Sequence, residues 1–294
     1  MTHVATLISH PDTPQITDDI LNDFADHLGR GFELAWLDEH VACDIELSED
    51  EAANAAIKAP EFHHRKIDMA LQQKATRRKS ILVADMDSTM IEQECIDELA
   101  DVVGIKEKVA DITARAMRGE IAFEPALRER VGLLKGLPVA TIDDVVKDRI
   151  TLRSGGRALV QTMKANGGYA ALVSGGFTMF TSRIADMLGF DENRANTLLA
   201  DGDSLSGEVG EPILGSTAKV TALREICLKR GQKPTDVMAI GDGANDLEMI
   251  KAAGSGIAVH AKPKVAAAAD MAINHGDLTA LLFLQGYRRD EFIS

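Results

Sequence analysis

The sequence predicts an α/β protein: a Rossmann-like core with a parallel sheet, a helical cap inserted after its first strand, and a small α+β domain at the N-terminus. Three observations carry this. From residue 81 onward, short wholly apolar runs that end in a polar or acidic group recur between helical stretches; strands buried on both faces of a parallel sheet read this way. The segment between the first two such runs, about 92–157, is far longer than one crossover helix and has helical spacing. The first 78 residues instead follow the order β-α-β-β-α-β, that of a ferredoxin-like split βαβ.

Within residues 1–78, 4–9 is a short strand-like run. In 16–28, Ile20, Leu21, Phe24 and Leu28 share one helical face. Residues 32–47 hold two strand-like stretches broken near Asp38 and Glu39. Residues 48–59 read as a helix, with Glu51 three positions after Ser48, the spacing of a capping box. Residues 67–71 close the unit as a strand. The order is similar to the ACT regulatory fold, although no ligand-binding signature accompanies it. A domain boundary is expected at 78/79, inside the polar stretch 72–80. Its basic cluster, Lys74, Arg77, Arg78 and Lys79, is expected to be a solvated linker.

Beyond it, Ile81-Leu82-Val83-Ala84 ends in Asp85. Residues 169–173 run into Ser174, and 237–240 into Gly241 and Asp242; 256–260 and 271–273 repeat the pattern more weakly. Polar groups placed after such strands lie at the C-terminal edge of the sheet, where open α/β sheets take ligands. In the long insert, Ile96, Leu99, Val102 and Val103 form one stripe and Leu127, Val131 and Leu134 another. The insert is expected to be a small helical cap over that edge.

The 294 residues are 45% hydrophobic with a formal net charge of −14, which sustains a core and disfavours nucleic-acid backbones and anionic membranes as partners. Aromatics, at 4%, are too few for a base-stacking platform. Cys43, Cys95 and Cys227 are widely spaced with no C-x-x-C, which points neither to a disulfide framework nor to a zinc site. There is no basic-then-apolar leader, and no run approaches the ~20 apolar residues of a membrane span. A cytoplasmic protein acting on a small molecule is expected.

The chemistry is concentrated in four places. Asp85-Met86-Asp87-Ser88-Thr89 sets two carboxylates two residues apart at a strand end, and Gly241-Asp242-Gly243-Ala244-Asn245-Asp246 adds two more. If adjacent strands bring these ends together, the clustered carboxylates need a compensating cation, and magnesium suits carboxylates that share a site with a phosphate. Ser174-Gly175-Gly176 offers a hydroxyl and bare amides to an anion, and Lys219 a point charge. Taken singly, D-x-D is as compatible with a calcium loop, S-G-G with a turn and Lys219 with a surface lysine.

In order, D-x-D-x-T, S-G-G, Lys and G-D-G-x-N-D are similar to the haloacid dehalogenase superfamily of phosphatases. Residues 85–98 (DMDSTMIEQECIDE), with AMRGEIAFEPALRERV and GDGANDLEM, resemble the branch of it that acts on phosphoserine. The resemblance covers about residues 80–290 and leaves out the N-terminal unit. It implies Mg2+-dependent hydrolysis of O-phospho-L-serine to L-serine and phosphate, the last step of serine biosynthesis, through an aspartyl-phosphate on Asp85. Asp87 would act as acid and then as base. Asp85, Asp242 and the backbone carbonyl of Asp87 would bind the metal. Ser174, the Gly175 N–H and Lys219 would hold the phosphoryl oxygens, and Asn245 would orient phosphate or water. Glu94 would take the substrate ammonium and Arg130 its carboxylate, with Arg128 as a rival; Met117 and Phe123 would shape a closing lid. Asp246 either steadies Lys219 and the metal's surroundings or caps the helix that follows it. Another small phosphomonoester such as phosphohomoserine, and a catalytically weak small-molecule sensor, stay open as alternatives. A homodimer paired through the edge of the ferredoxin-like sheet stays open as well.

Overall fold

The computed structural model describes residues 2–117 and 120–293, except for the side chain of Met117. At the N-terminus the chain runs β1 (His3–Ile8), α1 (Asp18–Leu28), β2 (Leu34–Asp38), β3 (Ala42–Leu47), α2 (Glu49–Ala55), α3 (Ala59–His64) and β4 (Asp68–Gln73). The four strands form an antiparallel sheet in the order β2-β3-β1-β4, the arrangement of a ferredoxin-like fold. α1 buries Ile20, Leu21 and Phe24 and ends at Gly29, whose φ of 70° turns the chain out of the helix. α2 starts with the expected box: the Glu51 amide donates to Ser48 Oγ at 3.3 Å, and the Ser48 amide to the Glu51 carboxylate at 2.7 Å.

Strand β1 is buried on both sides. Ala5 and Leu7 face α1 and α2 beside Phe24 and Ile45. Ile8 joins a second cluster that runs through Ala42 and Ala70 to the C-terminal helix and on to Leu82 and Met238 of the parallel sheet. The segment between the two sheets therefore differs from a solvated linker. Arg77 Nη1 donates to Asp44 Oδ2 at 2.6 Å with both side chains largely buried, and Thr6 Oγ1 donates to the same carboxylate at 2.7 Å. Arg78 lies 3.8 Å over the Tyr287 ring. Lys79 is buried and donates to the Thr235 carbonyl at 2.9 Å. Lys74 stays exposed and pairs with Glu46. Each charge has a partner distant in sequence, which a local reading of a basic run cannot supply.

The rest of the chain contributes β5 (Ile81–Ala84), α4 (Cys95–Val102), α5 (Lys106–Met117), α6 (Phe123–Gly132), α7 (Ala140–Asp148) and α8 (Gly156–Ala165). There follow β6 (Tyr169–Phe177), α9 (Thr178–Leu188), β7 (Glu192–Asn196), β8 (Leu198–Asp201), β9 (Ser204–Val209) and α10 (Ser216–Arg230). The chain closes with β10 (Val237–Gly241), α11 (Leu247–Ala252), β11 (Ser255–Val259), α12 (Pro263–Ala266), β12 (Met271–Ile273) and α13 (Ala280–Leu284). Six strands make a parallel sheet ordered β12-β11-β10-β5-β6-β7. β5 and β10 are buried at every residue, as their unbroken apolar runs require.

Helices α4 to α7 occupy the insert after β5. Their cores hold Ile96, Leu99, Val109, Leu127, Val131 and Leu134. Val102 and Val103, expected in the same stripe, are exposed: α4 ends at Val102, so the helical period stops there. The β8–β9 hairpin packs on α6 and was not expected, nor was the edge strand β7, whose sequence Glu-Asn-Arg-Ala-Asn is polar. Among the described residues no helix is long and apolar enough to cross a membrane, and the three cysteines are free and buried.

Candidate active site

β5 and β10 lie side by side with Ala84 opposite Ile240, and the Asp85 amide donates to the Ile240 carbonyl at 3.1 Å. From β5 the chain moves outward to β6 and β7, then returns on the other side of β5 at β10. The crevice beyond Asp85 and Asp242 is thus the switch point of the sheet, where strand order reverses and ligands bind. One carboxylate oxygen from each of Asp85, Asp242 and Asp246 lies within 4.8 Å of the others. A side chain at Gly241 would strike the Asp246 carboxyl, 2.3 Å from its Cγ, so only glycine lets β10 turn there with Asp246 folded beneath it.

Lys219 on α10 is 2% exposed, with Nζ 2.5 Å from Asp246 Oδ1 and 2.7 Å from Asp85 Oδ1. The contact to Asp246 is a hydrogen bond. At the buried Asp85 Oδ1, Lys219 Nζ makes an ion pair, and no other polar group among the described residues meets that oxygen. The other Asp246 oxygen accepts from the Gly243 amide at 3.0 Å, and the side chain makes no cap to α11. Asp246 thus contacts Lys219 and leaves α11 without a side-chain cap.

Burial, and then the charge of Asp246, raise Asp85 well above the usual carboxylate range against the opposing pull of Lys219. Asp242 is raised by burial and then by Asp246. Burial alone would lower the Lys219 ammonium, but Asp85 and Asp246 more than reverse this and leave it raised. The carboxylates are therefore short of positive charge. An all-oxygen donor set, an excess of negative charge and a buried Asp85 oxygen met only by Lys219 fit a hard divalent cation.

Asp87 has partners outside that cluster. Its Oδ1 accepts from the Cys95 amide at 3.0 Å and its Oδ2 from Ser174 Oγ at 3.4 Å, and burial raises its pKa. Ser174, in the second half of β6, is buried and also accepts from the Gly176 amide at 2.9 Å. A side chain on Gly176 would lie 2.8 Å from Asp87 Oδ2. Gly175 is half-buried beneath Phe123: a Cβ there would meet Phe123 Cζ at 3.7 Å, and one on Gly215 would meet Cδ1 at 3.6 Å. The Phe123 ring thus bridges from the cap to both glycines.

Glu94 is the residue just before α4 and is exposed. Ser88 Oγ donates to it at 2.7 Å. Loss of water around it, and then the charge of Asp87, push it up to about 7. Arg130 on α6 is half-buried, donates to the Ala126 carbonyl at 3.2 Å and Thr113 Oγ1 at 3.4 Å, and lies in the fields of Asp97 and Glu94. Arg128, the rival, is exposed and engaged by Glu124 and Glu211. Asn245 is exposed in the turn after Asp242. The side chain of Met117 lies outside the described residues.

A family model for haloacid dehalogenase-like hydrolases matches residues 82–251. The chain belongs to that family. Among curated relatives, a phosphoserine phosphatase of Polaromonas sp. is 47% identical over 209 residues, covering 69% of this chain and 89% of the relative. Among solved structures, a HAD family hydrolase from Salmonella enterica serovar Typhi superposes with a TM-score of 0.85 at 28% identity, over 96% of this chain and 98% of that one. A phosphoserine phosphatase described as a phospho-aspartyl intermediate analogue superposes with a TM-score of 0.65 at 39% identity, over 70% of this chain and 98% of that one.

Sequence reasoning missed three polar groups of this HAD-like hydrolase. Thr89 is fully buried and its Oγ1 donates to Asp242 Oδ1 at 3.2 Å; its place in D-x-D-x-T was the available signal. Asn196, 1% exposed, donates to the Gly175 carbonyl at 2.8 Å and the Leu214 carbonyl at 3.2 Å, and accepts from the Leu214 amide at 2.7 Å. It ties the Ser174–Gly175 stretch of β6 to the segment that leads into Lys219, and nothing in the sequence announces it. Arg153 donates to the carbonyls of Ser88 and Thr89.

Proposed function

We propose that this chain is a cytoplasmic, magnesium-dependent phosphoserine phosphatase acting through an aspartyl-phosphate on Asp85. The single observation that carries the reading is the convergence of Asp85, Asp242, Asp246 and Lys219 beyond β5 and β10, on a chain 47% identical to a protein named phosphoserine phosphatase. The same reading divides the chain at about residue 79, assigns about 92–157 to the cap, and allows two chains to pair through the free edge of β2.

Asp85, Asp242 and the carbonyl of Asp87 would hold the magnesium. When bound, it supplies positive charge that neutralises the carboxylates and draws a phosphoryl oxygen into place. An Asp85 oxygen attacks phosphorus as the ester P–O bond breaks. Asp87, whose raised pKa favours the acid form, gives its proton to the departing serine oxygen. In the second half, Asp87 takes a proton from water, whose oxygen attacks phosphorus; the bond to Asp85 breaks, phosphate leaves and both carboxyls return to their starting state. Ser174 Oγ, the Gly175 amide and Lys219 Nζ hold the non-bridging oxygens as charge shifts among them. Asn245 orients phosphate or water, and Asp246 keeps Lys219 in place. Glu94 receives the substrate ammonium and Arg130 its carboxylate, beneath a lid that includes Phe123 and Met117.

Phosphate release from L-phosphoserine, D-phosphoserine, phosphothreonine, phosphohomoserine and a sugar phosphate, each with magnesium or chelator, tests the proposal. L-Phosphoserine is expected to be turned over fastest, only with magnesium, and with no steady turnover by Asp85→Asn whose amide is verified intact. Faster turnover of another ester would reassign the substrate. Magnesium-dependent turnover of none would leave a binding protein.

A further inference from the structure

The turn that follows Asp87 is held partly by its own amides and partly from outside, and the Ser88 amide donates to the Gln93 carbonyl at 3.2 Å. Ser88 sits at φ 55°, a region that non-glycine residues rarely occupy. The amides of Thr89, Met90 and Ile91 all donate to the Met86 carbonyl. Among the described residues no backbone amide meets the carbonyls of Ser88 and Thr89. Arg153 meets both: Nη2 donates to the Ser88 carbonyl at 2.9 Å and Nε to the Thr89 carbonyl at 3.0 Å. The Arg153 amide donates to the Met90 carbonyl at 3.0 Å. The clamp extends to Thr151, whose amide donates to Gln93 Oε1 at 2.9 Å and whose carbonyl accepts from the Glu92 amide at 3.0 Å. A planar guanidinium on two successive carbonyls fixes both the position and the rotation of a turn, which a point charge cannot do.

The turn carries two hydroxyls into the site: Ser88 Oγ to Glu94, and Thr89 Oγ1 to Asp242. Arg153 is held in turn from behind. Ser154 Oγ donates to Asp277 Oδ2 at 2.7 Å, and the Leu278 amide to the Ser154 carbonyl at 3.0 Å.

We propose that Arg153 is a positioning residue. Its fork sets the pose of the Ser88–Thr89 turn, and through the two hydroxyls it sets the aim of Asp242 toward the cation and of Glu94 toward the substrate ammonium. The inference rests on the reading of the carboxylate cluster given above. Arg153→Ala and Arg153→Lys, checked for fold by circular dichroism and melting, are titrated with Mg2+ by calorimetry and assayed with L-phosphoserine. Arg153→Ala is expected to bind Mg2+ about tenfold more weakly, as loss of an orienting partner does, and to show a raised KM. Added methylguanidinium is expected to restore both, and Arg153→Lys to fall between Arg153→Ala and the wild type. If Arg153→Ala does not fold, Arg153→Lys decides alone. Wild-type Mg2+ affinity and KM in a folded variant overturn the proposal, as does a loss in Arg153→Ala that methylguanidinium leaves unchanged. A wild-type protein that binds no Mg2+ overturns this inference together with the proposed function, whereas failure of the inference alone leaves the wild type active.

Discussion

Replacing Lys219 by Met keeps most of the side-chain volume and removes the one ammonium between two buried carboxylates. At 2.7 Å and 2.5 Å from Asp85 and Asp246, each attraction is on the order of 6 kcal/mol before solvation, for an effective dielectric near 20. Desolvation of the ions cancels much of this. Stripping one partner from a buried pair costs about 3–5 kcal/mol, and that is the expected loss for Lys219→Met in urea denaturation of cation-free protein at pH 8. The deficit should shrink toward acid. Asp85 is raised in the folded protein and rises further without Lys219. The folded variant therefore takes up its proton at a pH where the unfolded chain is still ionised, and its stability recovers as pH falls. Lys219→Met with Asp246→Asn removes one stranded charge and should regain part of the stability. The kcat of both should stay about 10²–10³ lower, the cost of losing a donor to a developing oxyanion. A wild-type urea midpoint for Lys219→Met at pH 8, or a double variant no more stable than the single one, would refute the reasoning.

Three further expectations follow from the same geometry. An ammonium binds only ionised Glu94, and this carboxyl is pushed up to about 7. The kcat/KM for L-phosphoserine should fall as pH drops through that region, with the limb drawn to lower pH by a bound cation; Glu94→Gln should flatten it, and an unchanged limb argues against the contact. Chelation should lower the melting temperature relative to protein at a hundred times the Kd for Mg2+, where binding adds about 2.7 kcal/mol; coincident melting curves would exclude a cation at the cluster. Asp68 accepts from the amides of Asn274, His275 and Gly276, each at 2.9 Å, and ionic hydrogen bonds contribute about 1.5–3 kcal/mol. Asp68→Ala should speed hydrogen exchange of those three amides, and unchanged exchange would show that the carboxylate does not hold the loop.

The parallel sheet was legible because strands such as Ile81–Ala84 are buried on both faces and must be apolar throughout. Strand β7 was not: Arg194 pairs with Glu192 and with Glu225 on α10, so its polarity is satisfied only once the sheet is assembled. The basic cluster misled for the same reason, since Asp44 and Tyr287 reach Arg77 and Arg78 only in three dimensions. In the site, the motifs and their order pointed to Asp85, Ser174, Lys219 and Asp242. The pairing of Glu94 with Arg130 came from resemblance, because an exposed-looking Glu and Arg on helices carry no local signature of a shared ligand. Arg153 lies outside every motif, and its partners are backbone carbonyls that any sequence would supply.

Residues 77–79 make the two sheets share their foundations. With Arg77 in the antiparallel sheet's buried ion pair, Lys79 under the parallel sheet, and α13 packed against β1 and β3, no slack is left between the halves. A spacer spliced in at that point would unseat both instead of freeing either. A hinge-like swing of one half against the other would have to break that ion pair and strip α13 from β1 and β3.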